Sequence, residues 1–85
     1  MPAPHDDVLF TEVDGVETVL VDLNSKQYFQ LNETATVVWR ALQKGTPVDE
    51  IAVEMTKIYD VTLEHARSSV DAVIREFGSY RLLKP

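Results

Sequence analysis

Eighty-five residues with 45% hydrophobic content and a formal net charge of −6 describe one small folded domain, too apolar for disorder. A domain of this size buries only ~60–65% of the surface its unfolded chain exposes, which leaves little room for a buried catalytic cavity and favours a binding module. The absence of cysteine excludes disulfides and thiolate metal sites, and 14 acids against 8 bases disfavour attraction to a phosphate backbone.

Residues 1–7, with two prolines and two aspartates, read as a frayed N-terminal tail, and residues 8–85 as one domain. The Met-Pro-Ala-Pro-His-Asp-Asp start is acidic and lacks an apolar signal core, and no run reaches the ~18 apolar residues of a membrane span. The expectation is a cytoplasmic protein with no membrane partner.

Val8 to Val13 and Val16 to Leu23 alternate and are rich in β-branched residues, with Asp14-Gly15 between them as a hairpin signal. A two-residue turn there pairs Val13 with Val16 and Phe10 with Val19, and puts Val8, Phe10, Val19, Val21 and Leu23 on the core face. A three-residue loop, Asn24-Ser25-Lys26, leads to a third strand over Gln27 to Leu31, with Phe29 and Leu31 inward and Tyr28 and Gln30 outward. Phe29 then faces Val21, and Leu31 faces Val19. A loop shorter or longer by one residue reverses such an assignment, because side chains alternate with period two.

Asn32 caps a first helix from about Glu33 to Lys44, with Ala35, Val38, Trp39 and Leu42 as its apolar stripe and Gly45 as its left-handed stop. Thr46 as cap and Pro47 at the first helical position open a second helix, striped by Val48, Ile51, Ala52, Met55, Ile58 and Tyr59. Thr62 caps the third and longest helix, striped by Ala66, Val70, Val73, Ile74 and Phe77, with Gly78 as its expected end. Tyr80, Leu82 and Leu83 form a tail able to pack back on the body. Three strands followed by three amphipathic helices make a two-layer α+β domain whose first and third strands are sheet edges.

Residues for chemistry are scarce. His5 lies in the tail and His65 near a helix start, without ligand spacing, so the expected metal content is none. His65 precedes Ser68 and Ser69 by one turn, as helices routinely arrange, and no oxyanion motif accompanies them. The three glycines fall at turns or caps, so no phosphate loop exists. Asp49-Glu50 suit a helix N-terminus better than acid–base work. Trp39, in the apolar stripe, reads as core. No catalytic residue and no cofactor emerge, and the chain reads as a non-enzyme.

Asp22-Leu23, then Gln27-Tyr28-Phe29-Gln30-Leu31-Asn32-Glu33-Thr34-Ala35 and Trp39, resemble the signature of the PqqD-like family, the recognition elements for ribosomally made, post-translationally modified peptides. Val48-Asp49-Glu50-Ile51 and Tyr59-Asp60-Val61 resemble it more weakly. The resemblance spans roughly residues 8 to 83 and implies a winged-helix-like fold. It also implies a mechanism in which a precursor's leader segment adds as a strand to strand three and packs against helix three. Within the family, Asp22 to Asn32 carries the form Asp-Leu-x-x-x-x-Tyr-Phe-x-Leu-Asn, with Asn24 to Gln27 as the four intervening residues. It is most similar to the stand-alone leader-binding proteins of lasso-peptide clusters, whose partners are a leader peptidase and then a cyclase. Lys26 stands where relatives often carry Gly, so a non-glycine residue is expected at positive φ in that turn. The expected peptide-binding residues are Gln27, Tyr28, Phe29, Gln30 and Leu31 on strand three, and Arg67, Val70, Asp71, Ile74, Arg75 and Phe77 on helix three. Competing readings are a winged-helix DNA-binding protein, a peptide chaperone for a radical enzyme of the pyrroloquinoline-quinone type, and a structural adaptor. Helix three offers only Arg67 and Arg75 among Glu64, Asp71 and Glu76, a poor recognition helix for DNA.

Overall fold

The computed structural model describes residues 3–13 and 17–84, with the side chains of Val13 and Glu17 also outside the description. The Asp14-Gly15 turn therefore lies outside the described residues. The architecture is α+β: strands β1 (Val8–Val13), β2 (Glu17–Asp22) and β3 (Gln27–Leu31) precede helices α1 (Glu33–Gln43), α2 (Val48–Ile58) and α3 (Leu63–Ser79). The sheet is an antiparallel meander in the order β1-β2-β3, so β1 and β3 are its edges, as expected.

The register corrects the sequence-based pairing. Phe10 faces Leu20, not Val19, and Val13 faces Glu17, not Val16. Asp22 faces Gln27 across a four-residue connection, so Phe29 faces Leu20 and Leu31 faces Thr18. Each hairpin is one residue longer than the expected one. The two shifts cancel for β3, where Phe29 and Leu31 still point inward, but they turn β2 over. Leu20 is fully buried with Thr18 and Asp22 beside it, while Val19 and Val21 are only half-buried on the other face. Lys26 does take a positive φ, of 60°.

Helix ends follow local hydrogen-bond chemistry. The Asn32 side chain accepts from the Ala35 N–H at 2.8 Å, so α1 begins immediately after β3 with no linker. At its other end Gly45 has φ 78°, its N–H donates to the Leu42 carbonyl, and the Thr46 N–H donates to the Ala41 carbonyl. This paired closure satisfies carbonyls the helix leaves open. Thr46 is thereby engaged with α1, and Pro47, with no side-chain capping bond, flanks α2 in place of the expected Thr46 cap. Thr62 caps α3 by accepting from the His65 N–H. The expected stop at Gly78 is displaced: Arg81 takes the left-handed conformation at φ 60°, and the Arg81 and Leu82 N–H groups close onto the Gly78 and Phe77 carbonyls. That turn drives Leu82 into the core.

Trp39, Leu20, Leu42, Ile51, Leu82, Val38 and Val70 are the largest fully buried side chains. Trp39 meets Phe77 edge-on, with ring centroids 5.2 Å apart, a geometry favoured by the ring quadrupoles. The tail expected to be frayed is held over residues 3–7. Pro4 bridges Leu83, the His5 N–H donates to the Leu82 carbonyl at 2.8 Å, and the Lys84 N–H donates to the Ala3 carbonyl at 2.8 Å.

Candidate functional site

The outer edge of β3 does not meet another strand among the described residues; it borders an open groove whose far wall is α3. The groove has a volume of about 580 Å³ and is lined by Tyr28, Phe29, Gln30 and Leu31 of β3, Asn32, Thr34 and Ala35 at the start of α1, Ser69, Ala72, Val73, Glu76 and Phe77 of α3, and Tyr80 and Leu82 beyond it. The immediate β3-to-α1 junction fixes one end. The Phe29 ring against Tyr80, with centroids 4.9 Å apart, fixes the wall near the C-terminus of α3.

The phase of the ladder determines which backbone groups face that groove. The Leu23 N–H donates to the Asp7 carbonyl, in continuation of the β1–β2 register. Antiparallel pairs alternate between bonded and non-bonded, so Val19 and Val21 direct their backbone groups at β1, and Thr18, Leu20 and Asp22 direct theirs at β3. The Lys26 N–H donating to the Asp22 carbonyl at 2.7 Å agrees with this assignment. On β3, then, Gln27, Phe29 and Leu31 bond to β2, and the N–H and C=O groups of Tyr28 and Gln30 point to the open edge. Their side chains point away from the core; Tyr28 is 75% exposed. An edge of this kind accepts an extended chain through main-chain hydrogen bonds.

Five of the eleven expected site residues line the groove: Tyr28, Phe29, Gln30, Leu31 and Phe77. Gln27 is an exposed β3 residue at the mouth of the turn and does not line it. The remaining five lie on other faces of α3. Val70 is fully buried core, and Ile74 is half-buried against that core. Arg67 pairs with Asp49 of α2 and with Asp71, whose Oδ1 accepts from Arg67 Nε at 3.2 Å. It borders a separate cleft between α2 and α3. Arg75 is exposed and outside the groove. The missed side chains on α3 are Ser69, Ala72, Val73 and Glu76, followed by Tyr80. Val73 belongs to the expected apolar stripe and Tyr80 to the expected tail, but Ser69, Ala72 and Glu76 form a small and polar run that hydrophobicity alone does not flag.

Other chemistry is sparse. No group of three or more potential metal ligands occurs among the described residues. No helix is long and apolar enough to cross a membrane among them. Burial and the nearby Glu33 carboxylate push the Tyr59 hydroxyl above its ordinary pKa, but Tyr59 lies outside the groove.

No curated protein matches the chain. Among solved structures, TbiB1 in complex with the TbiA(beta) leader peptide is similar at 24% identity and a TM-score of 0.90, over 96% of this chain and 94% of that one. Lasso peptide synthetase B1 complexed with the leader peptide is similar at 24% identity and a TM-score of 0.91, over 99% of this chain and 98% of that one. Both establish the fold, a three-stranded antiparallel sheet followed by three helices. The family model for coenzyme PQQ synthesis protein D (PqqD) matches residues 17–83, nearly everything from β2 onward, and the chain therefore belongs to the PqqD family.

Proposed function

We propose that this chain binds the leader segment of a ribosomally synthesised precursor peptide and delivers it to separate modifying enzymes, without itself catalysing a reaction. The leader adds as a fourth strand on β3, and alternate side chains enter the groove against α3. The observation that carries this reading is the outward phase of the Tyr28 and Gln30 backbone groups along a groove otherwise walled by side chains. The two solved relatives, each described with a leader peptide, support it. A leader peptidase and then a cyclase of a lasso-peptide pathway are the proposed recipients.

Each edge hydrogen bond contributes only ~0.5–1.5 kcal/mol net, so apolar side chains in the groove must supply much of the affinity. Ordering a flexible leader opposes binding. The expected Kd is about micromolar or somewhat tighter, near −8 to −10 kcal/mol.

A proline scan along β3 tests the mechanism. Proline is tolerated on a sheet edge where the lost N–H faces outward. Gln30→Pro removes a groove-facing N–H and leaves the β2 ladder intact, whereas Phe29→Pro removes a ladder donor. The expected outcome is a folded Gln30→Pro protein that has lost at least tenfold in affinity for a fluorescein-labelled precursor leader peptide that the wild type binds, read by anisotropy. Wild-type affinity in folded Gln30→Pro overturns strand addition. No observation favours the DNA-binding reading: Arg40, Arg67 and Lys84 are each paired with a carboxylate, on Glu12, Asp49 and Asp6 respectively.

A further inference from the structure

The groove carries a single charged side chain, Glu76; every other lining residue is apolar or an uncharged polar group. Its position runs against helix electrostatics. Glu76 lies near the C-terminal end of α3, where unsatisfied carbonyls concentrate negative charge, and the last turn contains no basic residue to offset it. Among the described residues Glu76 forms no ion pair. Arg75, its neighbour in sequence, lies outside the groove. Helix stability thus gives no reason for an acid at this place.

The surroundings suit a cationic side chain with a long apolar stem. Val73, half-buried, offers apolar surface one turn before Glu76, and the exposed Tyr80 lies one turn beyond, with its ring against Phe29. A lysine or arginine can lay its stem along such surface while its head meets the carboxylate, and an aromatic face adds to the attraction. The net charge of −6 favours a basic segment at longer range.

Resting on the peptide-binding reading, we infer that this groove selects extended peptides that place a lysine or arginine opposite Glu76, on the same side of the added strand as the apolar anchors. Side chains of an added strand alternate, so the basic residue falls an even number of positions from those anchors.

The experiment displays a random dodecapeptide library to the full chain and to its Glu76→Gln and Glu76→Lys variants, with folding of each checked by circular dichroism. Wild type is expected to enrich apolar anchors plus a basic residue at even spacing. Glu76→Gln is expected to keep the anchors, lose the basic preference, and bind the best wild-type peptide roughly two- to tenfold more weakly, a difference that shrinks at high salt. Glu76→Lys is expected to prefer an acid at the same spacing. Apolar anchors without basic enrichment in wild type, or a basic preference that survives in Glu76→Lys, overturns this inference and leaves the groove reading standing. Failure of wild type to enrich any peptide, with the protein folded, overturns both.

Discussion

Asp22 is a carboxylate with 8% exposure at the end of β2, and it organises the turn that delivers β3. Its Oδ1 accepts from the Asn24 N–H at 3.0 Å and its Oδ2 from the Ser25 hydroxyl at 2.9 Å. The Ser25 hydroxyl chiefly holds the Asp22 pKa below its ordinary 3.8, with the Asn24 and Ser25 N–H groups and His5 adding to it against partial desolvation. A depressed carboxylate pKa stabilises the fold above the unfolded value, and that contribution is lost as pH falls through the folded value. Wild type should therefore melt above Asp22→Asn at pH 7, with the gap closing as pH drops below 3.8 in thermal melts followed by circular dichroism. A constant gap from pH 7 to strong acid refutes the role of the charged form. Lys26 in the same turn carries a conformation that glycine adopts at less cost, at φ 60°. The sequence flagged that torsion, because a lysine stands where the resemblance leads one to expect glycine.

At the scale of elements, β2 separates what pattern reveals from what it conceals. Its Thr18-Val19-Leu20-Val21-Asp22 core offers two apolar residues on one face and one on the other, so hydrophobic alternation favours Val19 and Val21 inward. Loop length decides instead, and one extra residue in each hairpin turns the strand over while leaving β3 in phase. Thr18 and Asp22 at the buried positions are paired with Leu31 and Gln27, so burial there follows register rather than hydropathy. The packing difference is measurable by urea unfolding. Leu20→Ala should cost ~2–5 kcal/mol because it empties a fully buried site. Val19→Ala, half-buried on the outer face, should cost less than ~1 kcal/mol. The reverse ranking rejects the register. On α3 the apolar stripe found the core face correctly at Ala66, Val70 and Phe77 and touched the groove at Val73 and Phe77, but it missed the polar part of the groove face. A face built from Ser69, Ala72 and Glu76 has no hydropathic signature, and only the position of β3 makes it a wall.

Across the whole molecule, the order of strands and helices, both sheet edges and the β3-to-α1 junction were legible because caps and turn residues mark them locally. The packing of the C-terminal tail was legible too, but its pairing with the N-terminal segment was not, since the order of each end depends on the other. Pro4 with Leu83, His5 with Leu82, and Asp6 with Lys84 join segments nearly eighty positions apart, and no local pattern encodes such a pairing. Deleting residues 1–6 should lower the melting temperature by on the order of 5–15 °C, the sum of a few backbone bonds and newly exposed apolar surface in a small domain. An unchanged melting curve by calorimetry rejects a structural role for that clasp. The two walls of the groove also differ in kind. One is main chain, whose geometry is locked by the β2 ladder and is indifferent to side-chain identity. The other is presented by Ser69, Ala72 and Glu76, none of them buried. Exposed substitutions of this type typically shift stability by no more than ~0.5 kcal/mol. If the groove binds peptides as proposed, grip and taste are encoded in separate stretches of the gene, and a lineage can change its preferred guest by altering three codons on one helix without rebuilding its scaffold.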